Sequence, residues 1–195
     1  MPVPARRLLL STLMLSLSWQ VSAAGEKVEV LQTKLDHPWS LAFLPADKGM
    51  LITLRGGQLR HWQAGKGLSD PITGVPKVWA NGQGGLLDVV LAPDFAQSRK
   101  VWLSFAEGGS DGKAGTAVGV GRLAEDVTRL DDFKVVFRQQ PKLSTGNHFG
   151  GRMVFDGNGY LFIALGENNQ RPTAQELDKH QGKLVRLTQD GAVPD

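Results

Sequence analysis

The sequence predicts an all-β fold, a partial β-propeller holding about three four-stranded blades. Three observations carry that expectation. The stretches "LAFLPADKGMLITLRGGQLRHW" (41–62), "VVLAPDFAQSRKVWLSFAEG" (89–108) and "MVFDGNGYLFIALGEN" (153–168) each open with a short apolar strand, turn at Pro or Gly, and run into a second apolar strand. Marked by Pro45, Pro93 and Gly157, these units stand roughly 48 and 64 residues apart, the range of a four-stranded blade with variable loops. Hardly any stretch shows the 3.6-residue periodicity of an amphipathic helix. A β-sandwich would need only about seven short strands, but it does not call for a repeated strand grammar.

Taken in order, residues 1–24, "MPVPARRLLLSTLMLSLSWQVSAA", have the three parts of a secretory signal peptide. Arg6 and Arg7 form the basic start. Leu8 to Trp19 give an apolar run of about twelve residues, shorter than the roughly 20 that span a bilayer as a helix. Val21-Ser22-Ala23 sets small residues where a signal peptidase reads, so cleavage is expected after Ala23 or Ala24. Residues 25–195 then form the exported part, expected in a bacterial periplasm with no membrane span after cleavage.

Next, "VEVLQTKL" (28–35) is expected as the strand that closes a ring by pairing with residues C-terminal to this chain. The first unit takes "GQLRHW" as its third strand and "PKVWA" (76–80) as its fourth. The second unit continues through "TAVGVGRL" (116–123) and "FKVVFRQQ" (133–140). In the third, "YLFIAL" is apolar on both faces, as in a strand covered on each side by packed sheets. "GKLVRL" (182–187) follows, and the sequence reaches "TQDGAVPD" before any fourth strand. Closing a propeller takes at least about four blades, so the chain reads as the front portion of a longer protein.

The totals narrow the function classes. With 41% hydrophobic and 21% charged residues, the composition is that of a globular protein. Loss of Arg6 and Arg7 lowers the formal charge from +3 to about +1, and no run of Lys or Arg remains, so no electrostatic footprint for nucleic acid or an anionic membrane exists. The absence of cysteine excludes disulfides and thiolate metal sites.

Several glycine-rich stretches fail as motifs. "SDGKAGT" (110–116) lacks a phosphate loop's first glycine, because Glu107 stands there. "GVGRLA" (119–124) fits a loose dinucleotide fingerprint, but no helix follows it. "DGNGY" (156–160) begins like a calcium loop and breaks at Tyr160; a hairpin turn explains it. Two loops remain. "WANGQGGLLDVVLAPDF" (79–95) sets Gln83 among glycines just before an inner strand, and "STGNHFGGRMVF" (144–155) sets His148 in the corresponding place one unit later. In a propeller, loops leading into the innermost strands lie where the central channel opens. Both side chains are therefore expected at its mouth, with glycines permitting close approach of a ligand. From position alone, His148 could equally hydrogen-bond a neighbouring loop, and Gln83 could be turn filler.

The motifs "HPWSLAFLP", "GQGGLLDVVLAPDF" and "STGNHFGGRMVFDGNGYLFIALGEN" resemble, in order, those of the soluble quinoprotein glucose/sorbosone dehydrogenase family, in particular the periplasmic aldose sugar dehydrogenases that use pyrroloquinoline quinone (PQQ). The likeness runs from about Val28 to Asp195. It implies a six-bladed propeller about twice this length, of which this chain is the N-terminal half. It also implies that His148 is the general base, taking the proton of an aldose's anomeric hydroxyl while hydride passes to PQQ and a lactone forms; an imidazole suits that task. Gln83 is implied to hydrogen-bond the cofactor. Better-known soluble glucose dehydrogenases carry aspartate before the histidine; here Asn147 stands there. Asn147 is expected to contact cofactor or sugar, but a neutral amide cannot raise the histidine's basicity by charge. Calcium ligands and the remaining cofactor ligands are expected beyond residue 195, and the electron acceptor is unidentified. Arg152 could meet the cofactor or pin the blade. Two other functions fit a propeller: a non-catalytic module binding a glycan or protein, and a calcium-dependent sugar-lactone hydrolase.

Overall fold

A computed structural model describes residues 27–195; the expected signal peptide lies outside the described residues. Three antiparallel sheets dominate. The first runs β1 (Pro38–Phe43), β2 (Met50–Leu54), β3 (Gln58–Gln63) and β4 (Gly67–Leu68); the second β5 (Leu86–Leu91), β6 (Lys100–Gly108), β7 (Ala114–Leu123) and β8 (Leu130–Arg138). The third holds β9 (Gly150–Phe155), β10 (Tyr160–Leu165) and β11 (Leu184–Thr188). Each sheet is a meander in which strands adjacent in sequence are paired. Helix among the described residues amounts to one α-turn, α1 (Phe95–Ser98), and 3₁₀ segments at Ser110–Gly112 and Arg171–Gln175.

The first strands pack side by side, β1 against β5 and β5 against β9, so the sheets fan out from a shared inner edge. This is a partial β-propeller. Side-chain alternation explains the packing. Along β6, Val101, Leu103 and Phe105 join Leu51, Leu59 and Leu44 in the core between the first two blades. Trp102, from the opposite face, joins Met153, Leu161, Ile163 and Leu187 between the second and third. A strand buried on both faces must be apolar throughout, which β6 nearly is.

One polar layer interrupts that core. The strands "PWSLAF", "LLDVVL" and "GGRMVF" place Ser40, Asp88 and Arg152 at equivalent positions on the three inner strands. These side chains interlock. Ser40 Oγ donates to Asp88 Oδ1 at 2.5 Å, Arg152 Nη1 donates to the same oxygen at 2.7 Å, and the Met153 N–H donates to Asp88 Oδ2 at 2.7 Å.

Residues 28–35 form no ladder within the described residues, and the partner expected for them lies beyond residue 195. One strand expectation fails. The fourth strand of the first blade is the two-residue β4, not residues 76–80. The latter belong to the crossover to the second blade: Pro76 has no N–H to donate, and Trp79 N instead reaches Ala106 O at 2.8 Å. On β10, Leu161, Ile163 and Leu165 are buried, while Tyr160, Phe162 and Ala164 on the other face are half-buried.

Candidate functional site

His148 sits two residues before β9 with φ at 49°, in the left-handed region. For a residue with a Cβ that conformation costs about 1–2 kcal/mol, so its surroundings must hold it there. They do so from three sides. The His148 N–H donates to Gln83 Oε1 at 2.9 Å, the His148 carbonyl accepts from Asn168 N at 3.2 Å, and ring Nδ1 lies 2.6 Å from Glu167 Oε1. The next residue, Phe149, is buried with Leu87, Ala106 and Ala114, its ring centroid 5.8 Å from that of Trp79.

Gln83 reaches His148 because the two loops touch. Gln83 N donates to Gly146 O at 2.7 Å, and Arg55 Nη1 holds Gly82 O at 2.5 Å. A Cβ on Gly82 would lie 2.5 Å from Gly146 O, so only glycine permits this approach. The structure thus brings Gln83 and His148 together, as their equivalent places in successive units predict. Asn147 lies beside them; its carbonyl accepts from Asn168 Nδ2 at 3.0 Å. Asn168 is itself buried and also accepts from Thr145 Oγ1 through its carbonyl and from Gln139 Nε2 through its side chain.

Glu167 was not among the candidates, and a register shift between Ile163 and Leu165 is what brings it to His148. β9 and β10 pair Gly150 with Leu165, and two more residues along each arm set His148 opposite Glu167. The hydrogen bond from His148 holds the Glu167 carboxyl below the usual carboxylate range. With Nδ1–H facing that carboxylate, the lone pair of the neutral ring is on Nε2. Nε2 has no hydrogen-bond partner among the described residues, and the side chain is 44% exposed. The result is an oriented imidazole with its acceptor nitrogen open to a ligand. Arg152 turns out to pin the blades: it pairs with buried Asp88, and its guanidinium lies 4.7 Å from the centroid of the Trp39 ring.

Residues 35–195 match the family model described as Glucose / Sorbosone dehydrogenase. The chain belongs to this family. It is 75% identical over 181 residues to the aldose sugar dehydrogenase YliI of Escherichia coli (strain K12), covering 93% of this chain and 49% of that protein. It also resembles the crystal structure of the apo form of the soluble aldose sugar dehydrogenase of Escherichia coli: TM-score 0.85, 78% identity, 86% of this chain and 48% of that one. The PQQ-bound aldose sugar dehydrogenase of Streptomyces coelicolor gives a TM-score of 0.75 at 28% identity, over 85% of this chain and 48% of that one. The chain therefore spans about half the length of the curated relatives it matches. Within the described part of this family member, no three His, Cys, Asp or Glu side chains gather where they could hold a metal ion.

Proposed function

We propose that this chain is part of an exported quinoprotein aldose dehydrogenase that oxidises the anomeric carbon of aldose sugars to lactones. The observation that carries this function is the His148 imidazole, fixed through Nδ1 by Glu167, with the backbone N–H of His148 held by Gln83 and Nε2 without a hydrogen-bond partner among the described residues. Nε2 accepts the proton of the anomeric hydroxyl. As it does so, the imidazolium keeps its Nδ1–H on Glu167, whose negative charge balances the charge gained. Asn147 lacks that charge, and Glu167 supplies it from the other arm of the hairpin.

The residues present fit a quinone in kind. Gln83 has committed Oε1 to the His148 N–H, which leaves its NH₂ as donor to an acceptor-rich ligand, and the Asn147 amide has no side-chain partner among the described residues. Gln83 and Asn147 would hold PQQ, which when bound supplies the carbon that receives the sugar's hydride. Of the nearby cations, Arg152 is engaged by Asp88 and Arg55 by Gly82 O. Among the described residues no three His, Cys, Asp or Glu side chains gather to hold calcium, and no step is assigned to that ion.

The test is dye-linked oxidation of aldoses by the complete protein with PQQ and Ca²⁺. His148→Ala should lower turnover by about 10²–10⁴-fold, the usual worth of a general base, with PQQ affinity largely retained. A glycan-binding module would reduce no dye. A lactone hydrolase would work without PQQ and release no electrons.

A further inference from the structure

We propose that Thr116, Ser104 and Asp88 are positioning residues for His148, three buried side chains of the second blade that fix the main chain of residues 149–153 and, through it, the imidazole. They stand on three successive strands, β7, β6 and β5, and all are fully buried. Their targets fall at alternate residues of the segment that follows His148. Thr116 Oγ1 donates to Phe149 O at 2.7 Å, Ser104 Oγ donates to Gly151 O at 2.6 Å, and Asp88 Oδ2 accepts from Met153 N at 2.7 Å. Ser104 Oγ also accepts from Asp88 N at 2.9 Å, so the second and third teeth of this comb are joined.

Three observations favour positioning over mere cohesion. The comb begins one residue after a backbone held in the left-handed region, and strained residues persist only where their surroundings over-determine them. β9 is the edge strand of its sheet, and the comb engages its main chain at Gly151 O and Met153 N, while Phe149 O, which accepts from Gly166 N at 3.1 Å across the hairpin, takes Thr116 as a second donor. Burying polar side chains in an apolar blade costs stability unless each is satisfied, and here every tooth bonds this one segment, Asp88 also accepting from Ser40 and Val89 N. The junction between the first two blades supplies a control. There Thr53 Oγ1 donates to Leu87 O at 2.6 Å and accepts from Ser40 N at 3.0 Å, a buried hydroxyl of the same kind with no hydrogen bond to residues 147–153.

The inference rests on His148 as base, and its test separates the two. In the complete protein with PQQ and Ca²⁺, Thr116→Val should lower kcat by about tenfold or more, the scale expected of small misplacements, while KM for the aldose stays near wild type. Thr116→Ser, which keeps the hydroxyl, should restore kcat. Thr53→Val should lower the unfolding midpoint but not kcat. Nuclear magnetic resonance of the ¹⁵N-labelled imidazole reads the same effect without turnover: Thr116→Val should shift the His148 Nδ1 and Nε2 signals, and Thr53→Val should not. Should Thr116→Val fail to fold, Ser104→Ala and Thr116→Ser carry the comparison. A folded Thr116→Val or Ser104→Ala with wild-type kcat and ring shifts overturns the proposal, as does a Thr53→Val that loses kcat equally. If His148→Ala still turns over while Thr116→Val moves the ring signals, positioning stands and the assignment of the base fails.

Discussion

At His148, a backbone conformation suited to glycine carries an imidazole, and the sum of small contacts around it explains why it is tolerated there. Glu167 is the member whose removal is most informative. Glu167→Gln keeps an acceptor for Nδ1–H but not the charge, and should lower kcat by about tenfold to a hundredfold with little change in KM, as measured by dye reduction. Its pH signature has a definite sign. The Glu167 carboxyl is held below its ordinary value, so the stability it contributes is present above that ordinary value and lost as pH falls through the depressed one. The difference in urea midpoint between wild type and Glu167→Gln should therefore be largest above the ordinary carboxylate range and shrink as pH falls below it. Gly166 is equally constrained, since a Cβ there would stand 1.8 Å from the His148 carbonyl oxygen; Gly166→Ala should abolish turnover. Gln83 and His148 were legible because glycine-flanked loops recur at the same place in successive units. Glu167 was not, because its role depends on register across a hairpin, which is fixed by pairing and not by local composition.

At the scale of the strand, the inner edges are joined by one buried carboxylate. Asp88 is 0% exposed, whereas the Arg152 side chain is 62% exposed, so the two sides of this ion pair are not equivalent. Removing the acid leaves the Met153 N–H and the Ser40 hydroxyl without their acceptor; removing the arginine leaves Asp88 with its other donors but no cation. Urea unfolding of the complete protein should show Arg152→Met, which leaves a buried carboxylate without its cation, costing about 3 kcal/mol or more, and Asp88→Ala, which strands the buried Met153 and Val89 N–H donors, costing about 2–3 kcal/mol. The repeated pattern of apolar strand, turn and apolar strand was enough to locate most of the ladder, including β5 to β7 and the β9–β10 hairpin. It misplaced β4, because reading residues 76–80 as a strand rested on apolar content without a pairing partner. Asp88 escaped notice for a related reason. A single acid inside "LLDVVL" reads as an interruption of an apolar strand until the neighbouring strands reveal Ser40 and Arg152 at the same level.

On the scale of the whole molecule, the two faces that no blade covers are apolar. On β1, Leu41 and Phe43 share a face and are 50% and 72% exposed, while Ala42 and Leu44 point to the core with the second blade. At the other end, Val154 and Leu184 are 60% and 74% exposed, on the side of the third sheet opposite Met153, Leu161 and Leu187. Apolar sheet faces and unpaired edges of this kind drive association. The 195-residue chain expressed alone should therefore self-associate, and light scattering after gel filtration should report species heavier than a 21.1 kDa monomer. Because the contact is apolar, the association should weaken on cooling and persist in high salt, the reverse of an electrostatic complex. Phe43→Lys combined with Leu184→Glu should shift the chain toward monomer without altering its β-sheet circular dichroism, since neither side chain contributes to the inter-blade cores. A chain that stays monomeric before those substitutions would mean that these faces are held apart by something other than their chemistry.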